Sequence, residues 1–390
     1  MIRKPSLLLA LIFLINPFLS MACSMYKITK NGITIVGNNE DWLSPNNQFW
    51  FEKADQGNYG VMYMGLLDNF AQGAINEAGL VFDGFANPEL AIENTDGKLN
   101  ISIGTAIRNV MQTMSTVEQV SDYLNTINLS SLSSSQIVFV DKSGTYLIVE
   151  GDLFIIGEES EKAFSNFYYS QIASEDEVEL ENFQNGRSFL NKTEGESSLT
   201  YCGEVMKNLS NTDVFSTQYS TVYNLNTLTV RVYLFHDYTE YIDIDLKKEL
   251  SKENHKTMIA DLFPKESIGS KHYQNYNDTE NPTRFLESII NSKEYSEKEL
   301  TEEGFNTIVN MIGYEWIRKE DPTTAIKVFA YGVSLMPNDA NLYDSLGEAY
   351  FKNKDWSNSI INYKKSLTLD TSNENAVTMI KKAEENKSKS

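Results

Sequence analysis

Residues 20–42, SMACSMYKITKNGITIVGNNEDW, decide how the rest of the chain reads. From Ser24 onward the run alternates as strands do, and it breaks at Lys30-Asn31-Gly32. Asn-Gly between two alternating runs is the strongest short signal for a β-hairpin. Two short strands are predicted, with Cys23 at the head of the first and Asp41 near the end of the second. Cys23 is one of two cysteines in 390 residues. Its position leaves three readings: the end of an export signal, a lipid attachment point, or a nucleophile.

The residues before Cys23 read as an export signal. Arg3 and Lys4 make a short positive start, Leu7 to Ile15 form an apolar run, and Asn16 and Pro17 end it. Ser20 and Ala22 then place small residues three and one positions before Cys23, as signal cleavage requires. The apolar run is too short to span a bilayer comfortably. The expectation is a signal peptide over 1–22 and a mature chain, periplasmic or secreted, that starts at Cys23 and does not insert into the membrane. A lipid-modified Cys23 is the rival. It would make the protein an envelope lipoprotein with a non-catalytic first domain, but the usual lipobox has Leu where this chain has Ser20. Cleavage would leave an α-amine beside the thiol. Such an amine titrates near pH 8, so it can take the thiol proton without any histidine. Acylating it would block that chemistry, so lipoprotein and enzyme exclude one another.

Composition removes other classes. The formal net charge is −21, from 54 acidic and 33 basic residues, which opposes binding to nucleic acid or an anionic membrane surface. The three histidines (His236, His255, His272) are scattered, and no ligand spacing fits a zinc site. No phosphate-binding glycine loop and no Gly-x-Ser-x-Gly elbow occurs, so neither metal nor cofactor is expected. Cys202, in TYCGEVMKNL, reads as a small apolar residue at a helix start.

The chain then alternates strand and helix patterns. Strand runs continue at Tyr59–Leu67 and Gly79–Asn87. Helical periodicity follows in IGTAIRNVMQTM and in VEQVSDYLNTI, the latter capped by Ser115-Thr116 with Glu118 in its first turn. QIVFVDKSGTYLIVEGDLFIIG is rich in hairpin signals, and strands resume in VYNLNTLTVRVYLF and EYIDIDL. Two sheets and a helical layer over 23–246, an α+β sandwich, are expected. Residues 247–284, rich in Lys, Glu, Ser and Asn, read as a linker.

From 285 to 390 the pattern is helical and repeats. Gly313 and Gly347, Trp316 and Tyr350, Ala325 and Ser359, Phe329 and Tyr363, and Leu335 and Leu369 are each 34 residues apart. Small residues let paired helices approach while aromatics fill the space between them. This period resembles the tetratricopeptide repeat (TPR), with units at 306–339 and 340–373, a turn at Pro337 and a capping helix from Asn373. Two units bury their apolar faces only against a neighbour, so packing on the first domain, on a protein partner, or on another copy of the chain through these helices is expected.

The first domain carries a second resemblance. Cys23-Ser24-Met25-Tyr26 followed by Gly37-Asn38-Asn39-Glu40-Asp41-Trp42 resembles the opening of the N-terminal-nucleophile (Ntn) hydrolases related to choloylglycine hydrolase and penicillin V acylase. That family opens with a leading Cys, two strands, then Gly-Arg-Asn-x-Asp. Further matches in order are Ile75-Asn76-Glu77-Ala78-Gly79-Leu80, VFVDKSGTYLIVE ending in Glu150, Ser165-Asn166-Phe167, and Gly186-Arg187-Ser188-Phe189. The resemblance implies a four-layer αββα sandwich that hydrolyses the linear amide C–N bond of an N-acyl compound, of the penicillin V, conjugated bile acid or acyl-amino acid class. Acyl transfer to another amine would use the same machinery.

Residue by residue, the resemblance makes Cys23 the nucleophile and Asp41 the holder of its α-amine. Asn166 becomes an oxyanion donor and Arg187 an electrostatic support. Asn87 and Trp42 are expected at the substrate, where Trp50, Phe51, Tyr63 and Phe70 could also line an apolar acyl pocket. Two departures stand out. The family's Arg falls on Asn38, removing a positive charge near the thiol. Its second oxyanion Asn falls on Ala86, leaving Asn87 displaced by one residue and so pointed to the other face unless a bulge intervenes.

Overall fold

The computed structural model describes residues 23–290 and 295–389. The expected signal peptide lies outside the described residues. The chain divides into two compact units between Tyr273 and Gln274, each considered by itself.

The first unit is built on two antiparallel sheets. Six strands run in the order β10 (Glu161–Ser165), β1 (Ser24–Lys30), β2 (Ile33–Asp41), β11 (Thr217–Asn224), β12 (Thr229–Leu234), β13 (Ile242–Asp245). Eight run in the order β14 (His255–Met258), β3 (Asn47–Glu52), β4 (Val61–Leu66), β5 (Ala71–Asn76), β6 (Val81–Ala86), β7 (Ser135–Val140), β8 (Tyr146–Glu150), β9 (Leu153–Gly157). β1 and β2 meet at the predicted hairpin, with Lys30 opposite Ile33. Asn31 and Gly32 take φ values of 54° and 73°, the left-handed pair that a two-residue type I′ turn requires.

Alternation along these strands makes three apolar layers, because neighbouring residues face opposite sides of a sheet. Met25, Val36 and Val232 meet Phe49, Met62, Ile75 and Phe85 between the sheets. On the far side of the six-stranded sheet, Tyr26, Ile35 and Val222 pack against helices α3 (Glu181–Leu190) and α4 (Leu199–Asn208) through Phe183, Val205 and Met206. On the far side of the eight-stranded sheet, Tyr63, Phe82 and Leu147 pack against α1 (Ile103–Thr113) and α2 (Val117–Leu124) through Val110, Met111 and Val120. The first unit is thus a four-layer αββα sandwich, the architecture expected. Each buried side chain of this size contributes roughly 1.5–3 kcal/mol, so the strands need apolar residues on both faces. Gly37 lets α4 lie directly on β2: a Cβ there would come within 2.7 Å of Met206 and 2.8 Å of Cys202 Sγ. Cys202 is free and fully buried.

The linker expected over 247–284 is corrected. Residues up to Tyr273 belong to the sandwich: β14 pairs with β3 as the edge of the eight-stranded sheet. Leu250, Ile259, Ala260 and Phe263 enter the core between the sheets. His255 stacks on Phe51 at 4.6 Å. The Lys- and Glu-rich residues before β14 form a short helix, Leu246–Leu250, that buries Leu246 and Leu250 and turns its charged residues to solvent, so the composition imitates a linker.

In the second unit, α5 (Phe305–Arg318), α6 (Pro322–Leu335), α7 (Ala340–Lys352), α8 (Trp356–Leu369) and α9 (Glu374–Lys387) follow one another, each packed on the next. The 34-residue period of the sequence is the period of these helices. Asp321 and Asp355 cap α6 and α8, and Asp339 and Asn373 cap α7 and α9, each accepting from the backbone N–H three residues on. Gly313 lies against the Phe329 ring, where a Cβ would fall 2.3 Å from it, and Gly347 repeats the contact against Tyr363 at 3.0 Å.

Candidate active site

Cys23 stands at the head of β1, 7% exposed. Ser24, the next residue, pairs with Asn39 of β2 and Ser165 of β10, and Ser165 Oγ donates to the Cys23 carbonyl at 2.7 Å. This register brings the thiol to the end of β2. The Asp41 backbone N–H donates to Cys23 Sγ at 3.4 Å, and Glu40 Oε1 lies 3.9 Å from the same sulfur.

Asp41 is fully buried. Thr217 Oγ1 donates to its Oδ1 at 2.5 Å, while Oδ2 has no partner among the described residues. A register shift between Thr217 and Tyr219 in β11, opposite the end of β2, sets this contact. Cys23, Asp41, Trp42 and Asn166 line one cavity of about 530 Å³. Trp50, Tyr63 and Phe70 line it too, whereas Phe51 lies between the sheets. The cavity wall is therefore mostly aromatic and aliphatic, with Glu40 and Asp41 beside the thiol and two further polar pairs, Glu52 with Arg108 and Asn69 with Lys256.

The other expected residues separate. Asn166 Nδ2 donates to the Ala86 carbonyl at 2.7 Å, at the cavity edge. Asn87 does not reach the cavity: β6 runs in unbroken register with β7 as far as Ala86 opposite Ser135. No bulge rotates Asn87 inward, and its amide donates to Gln136 instead. Arg187 is also displaced from the site. It sits on α3, in the outer helical layer, with its guanidinium 2.8 Å from Asp176 and 3.4 Å from Glu175.

Three buried residues that the sequence reading passed over complete the surroundings of the thiol. Glu40 lines the cavity, and Gln72 Nε2 donates to its Oε1. Asp83 lies on β6 with its Oδ1 accepting from the Gly84 N–H. Thr217 holds Asp41, as described. Asp83 had a legible signal, a lone acid between Val81 and Phe85 in an apolar strand. Glu40 had a weaker one, a carboxylate directly beside the residue assigned to the amine.

The electrostatics follow from burial without a counter-charge. Burial, then Glu40, Asp41 and Asp83, push the Cys23 thiol well above its usual range. Burial raises Glu40 to about 8 against the hydrogen bonds from Cys23 and Gln72. It raises Asp41 and Asp83 well above the ordinary carboxylate range. Asn38, where a positive charge was expected, is buried with neither amide atom partnered among the described residues. No group of three or more His, Cys, Asp or Glu among the described residues is placed to hold a metal ion.

Fold and site together define a class: an αββα sandwich with a cysteine at the head of its first strand, opening on an apolar cavity. Compared with solved structures, the chain is similar to a mutant conjugated bile acid hydrolase from Clostridium perfringens, at 18% identity and a TM-score of 0.45, over 61% of this chain and 96% of that one. It is also similar to penicillin V acylase from Agrobacterium tumefaciens, at 16% identity and a TM-score of 0.45, over 60% of this chain and 91% of that one. No protein-family profile matches the sequence, and no curated protein matches it.

Proposed function

We propose that the chain is an exported amidohydrolase, cut before Cys23, that cleaves the linear C–N bond of an N-acyl compound. The observation that supports it most is the juxtaposition at Cys23. A buried thiol heads the first strand on the wall of a mostly apolar 530 Å³ cavity, with Asp41 beside it and Asn166 on the same wall. The freed α-amine of Cys23 takes the thiol proton as Sγ bonds to the amide carbon. Asp41, with Oδ1 fixed by Thr217 and Oδ2 open, holds that amine. The tetrahedral oxyanion takes Asn166 Nδ2, which gives up its bond to Ala86, and a donor of this kind is worth roughly 3–4 kcal/mol of barrier. As the C–N bond breaks, the amine passes the proton to the leaving nitrogen. Water, deprotonated by the same amine, then attacks the thioester, releasing the acid and restoring the thiol. The thiol has no nearby cation to make it a thiolate at rest, so attack and proton removal are concerted.

The test is chemical. Intact mass of the exported protein should begin at Cys23 with no lipid, and N-acyl amide turnover should vanish in Cys23→Ser. A lipid mass on Cys23, or equal turnover by native protein and variant, refutes the reading. The repeat-bearing second unit is proposed to bind a protein partner or a second copy. A monomer that captures nothing from its own envelope fraction would count against that.

A further inference from the structure

We infer that the Glu40 side of the cavity is a subsite for a primary ammonium group, carried by the substrate close to its scissile amide. This rests on the amidohydrolase reading above and narrows it to one charge class. Strand alternation carries the argument. Val36 of β2 lies between the sheets, so Asn38 and Glu40 face that layer as well, while Asp41 turns the other way. Val81 and Phe85 of β6 lie between the sheets, so Asp83 enters the same layer from the opposite sheet. Tyr219, fully buried, is the cross-strand partner of Glu40. Its hydroxyl feels the charges of Glu40, Asp83 and Cys23.

Three oxygens in this cluster have no hydrogen-bond partner among the described residues: Glu40 Oε2, Asp83 Oδ2 and the Tyr219 hydroxyl. Buried acceptors left unpaired are costly, and an alkylammonium brings three donors. Glu40 lines the cavity and meets the ammonium directly, with Asp83 behind it. The cations on the cavity wall are engaged elsewhere, Arg108 by Glu52 and Lys256 by Asn69. The α-amine of Cys23 does not substitute for the missing charge. It belongs to Asp41, and it must be neutral to act as a base. Burial raises both the Glu40 and the Asp83 carboxyl, and the Glu40 charge raises Asp83 further; a cation beside them opposes that rise. Since Glu40 Oε1 is 3.9 Å from the attacking sulfur, a charge two carbons beyond the scissile nitrogen sits within reach. A substrate anion in the same place is repelled.

The experiment uses the mature full-length chain and matched amides that share one acyl group, octanoyl or phenylacetyl. The amine half is ethylenediamine (cationic), propylamine (neutral) or glycine (anionic). The kcat/KM for the cationic amide should exceed that for the neutral one by on the order of a hundredfold, as expected for one unit charge about 5 Å from a carboxylate in a partly screened site, and exceed that for the anionic one by more. Glu40→Gln should shrink that ratio by about tenfold or more, and Asp83→Asn should shrink it less. Asp83→Asn keeps the test open should Glu40→Gln fail to fold. Equal or better turnover of the glycine amide, or a preference unchanged in both variants, overturns the subsite and leaves the nucleophile assignment standing. No turnover of any amide, with no acyl mass on Cys23, overturns the amidohydrolase reading itself.

Discussion

Replacing Glu40 with Gln should stabilise the first unit at pH 8 and leave it nearly unchanged at pH 4.5. Burial raises the Glu40 carboxyl from an ordinary 4.5 to about 8. A group raised in this way contributes its full stability below its unfolded value and loses it as pH rises through the folded one. Across that window the folded state holds a proton that the unfolded state has released. At about 1.36 kcal/mol per pH unit, the loss reaches about 4 kcal/mol at pH 8. Gln has the shape of the protonated acid, can still accept from Gln72, and has no proton to lose. The variant should therefore match the parent within about 1 kcal/mol at pH 4.5 and exceed it by up to about 4 kcal/mol at pH 8. The measurement is denaturant unfolding from pH 4.5 to 8.5, followed by the fluorescence of Trp42 and Trp50. Trp316 and Trp356 are replaced by Phe so that the second unit is silent. Residue 23 is kept in a peptide bond so that titration of its α-amine, near pH 8, does not overlap that of Glu40. Parallel pH curves, or a variant less stable than the parent at pH 8, would show that a cation already compensates Glu40. The account of an uncompensated acidic cluster would then be wrong.

The oxyanion assignment predicts that Asn166→Ala lowers kcat by about 10²–10³, while Arg187→Ala and Asn87→Ala leave it nearly unchanged, because neither lines the cavity. Steady-state kinetics on any turned-over amide checks this, and a large loss in Arg187→Ala would refute the placement. In the helical unit, Gly313→Ala should cost about 1–3 kcal/mol, since its Cβ would enter the Phe329 ring. Gly347→Ala should cost less because Tyr363 lies farther off. Thermal melting monitored at Trp316 and Trp356 reads both, and equal costs would count against the difference in packing.

Much of the fold was legible because it rests on local rules. Asn31-Gly32 forces a hairpin wherever it sits between alternating runs, and alternation with apolar residues on both faces demands a layer on each side of the sheet. The 34-residue period carries its own packing partners, Gly313 with Phe329 and Gly347 with Tyr363. The polar stretch after Lys247 misled because a short surface helix buries only Leu246 and Leu250 and so carries the composition of a linker. Asp41 and Asn166 were legible as cavity residues through the resemblance of short motifs, and Trp42 as one of several aromatics able to line an acyl pocket. Arg187 and Asn87 were not placed where the same resemblance put them.

The sequence by itself determined the periodicities, the hairpin, the repeat and the place of Cys23 at the head of a strand, because each depends on residues near one another in the chain. Only the tertiary structure decided what surrounds the thiol. The register of β11 against β2 puts Thr217 on Asp41, and the unbroken β6–β7 ladder turns Asn87 away. The stacking of two sheets brings Asp83 to the layer of Glu40, 43 positions from it in the chain. Burial then turns ordinary carboxyls into a cluster that awaits a cation, a property that belongs to their shared surroundings and to no single residue.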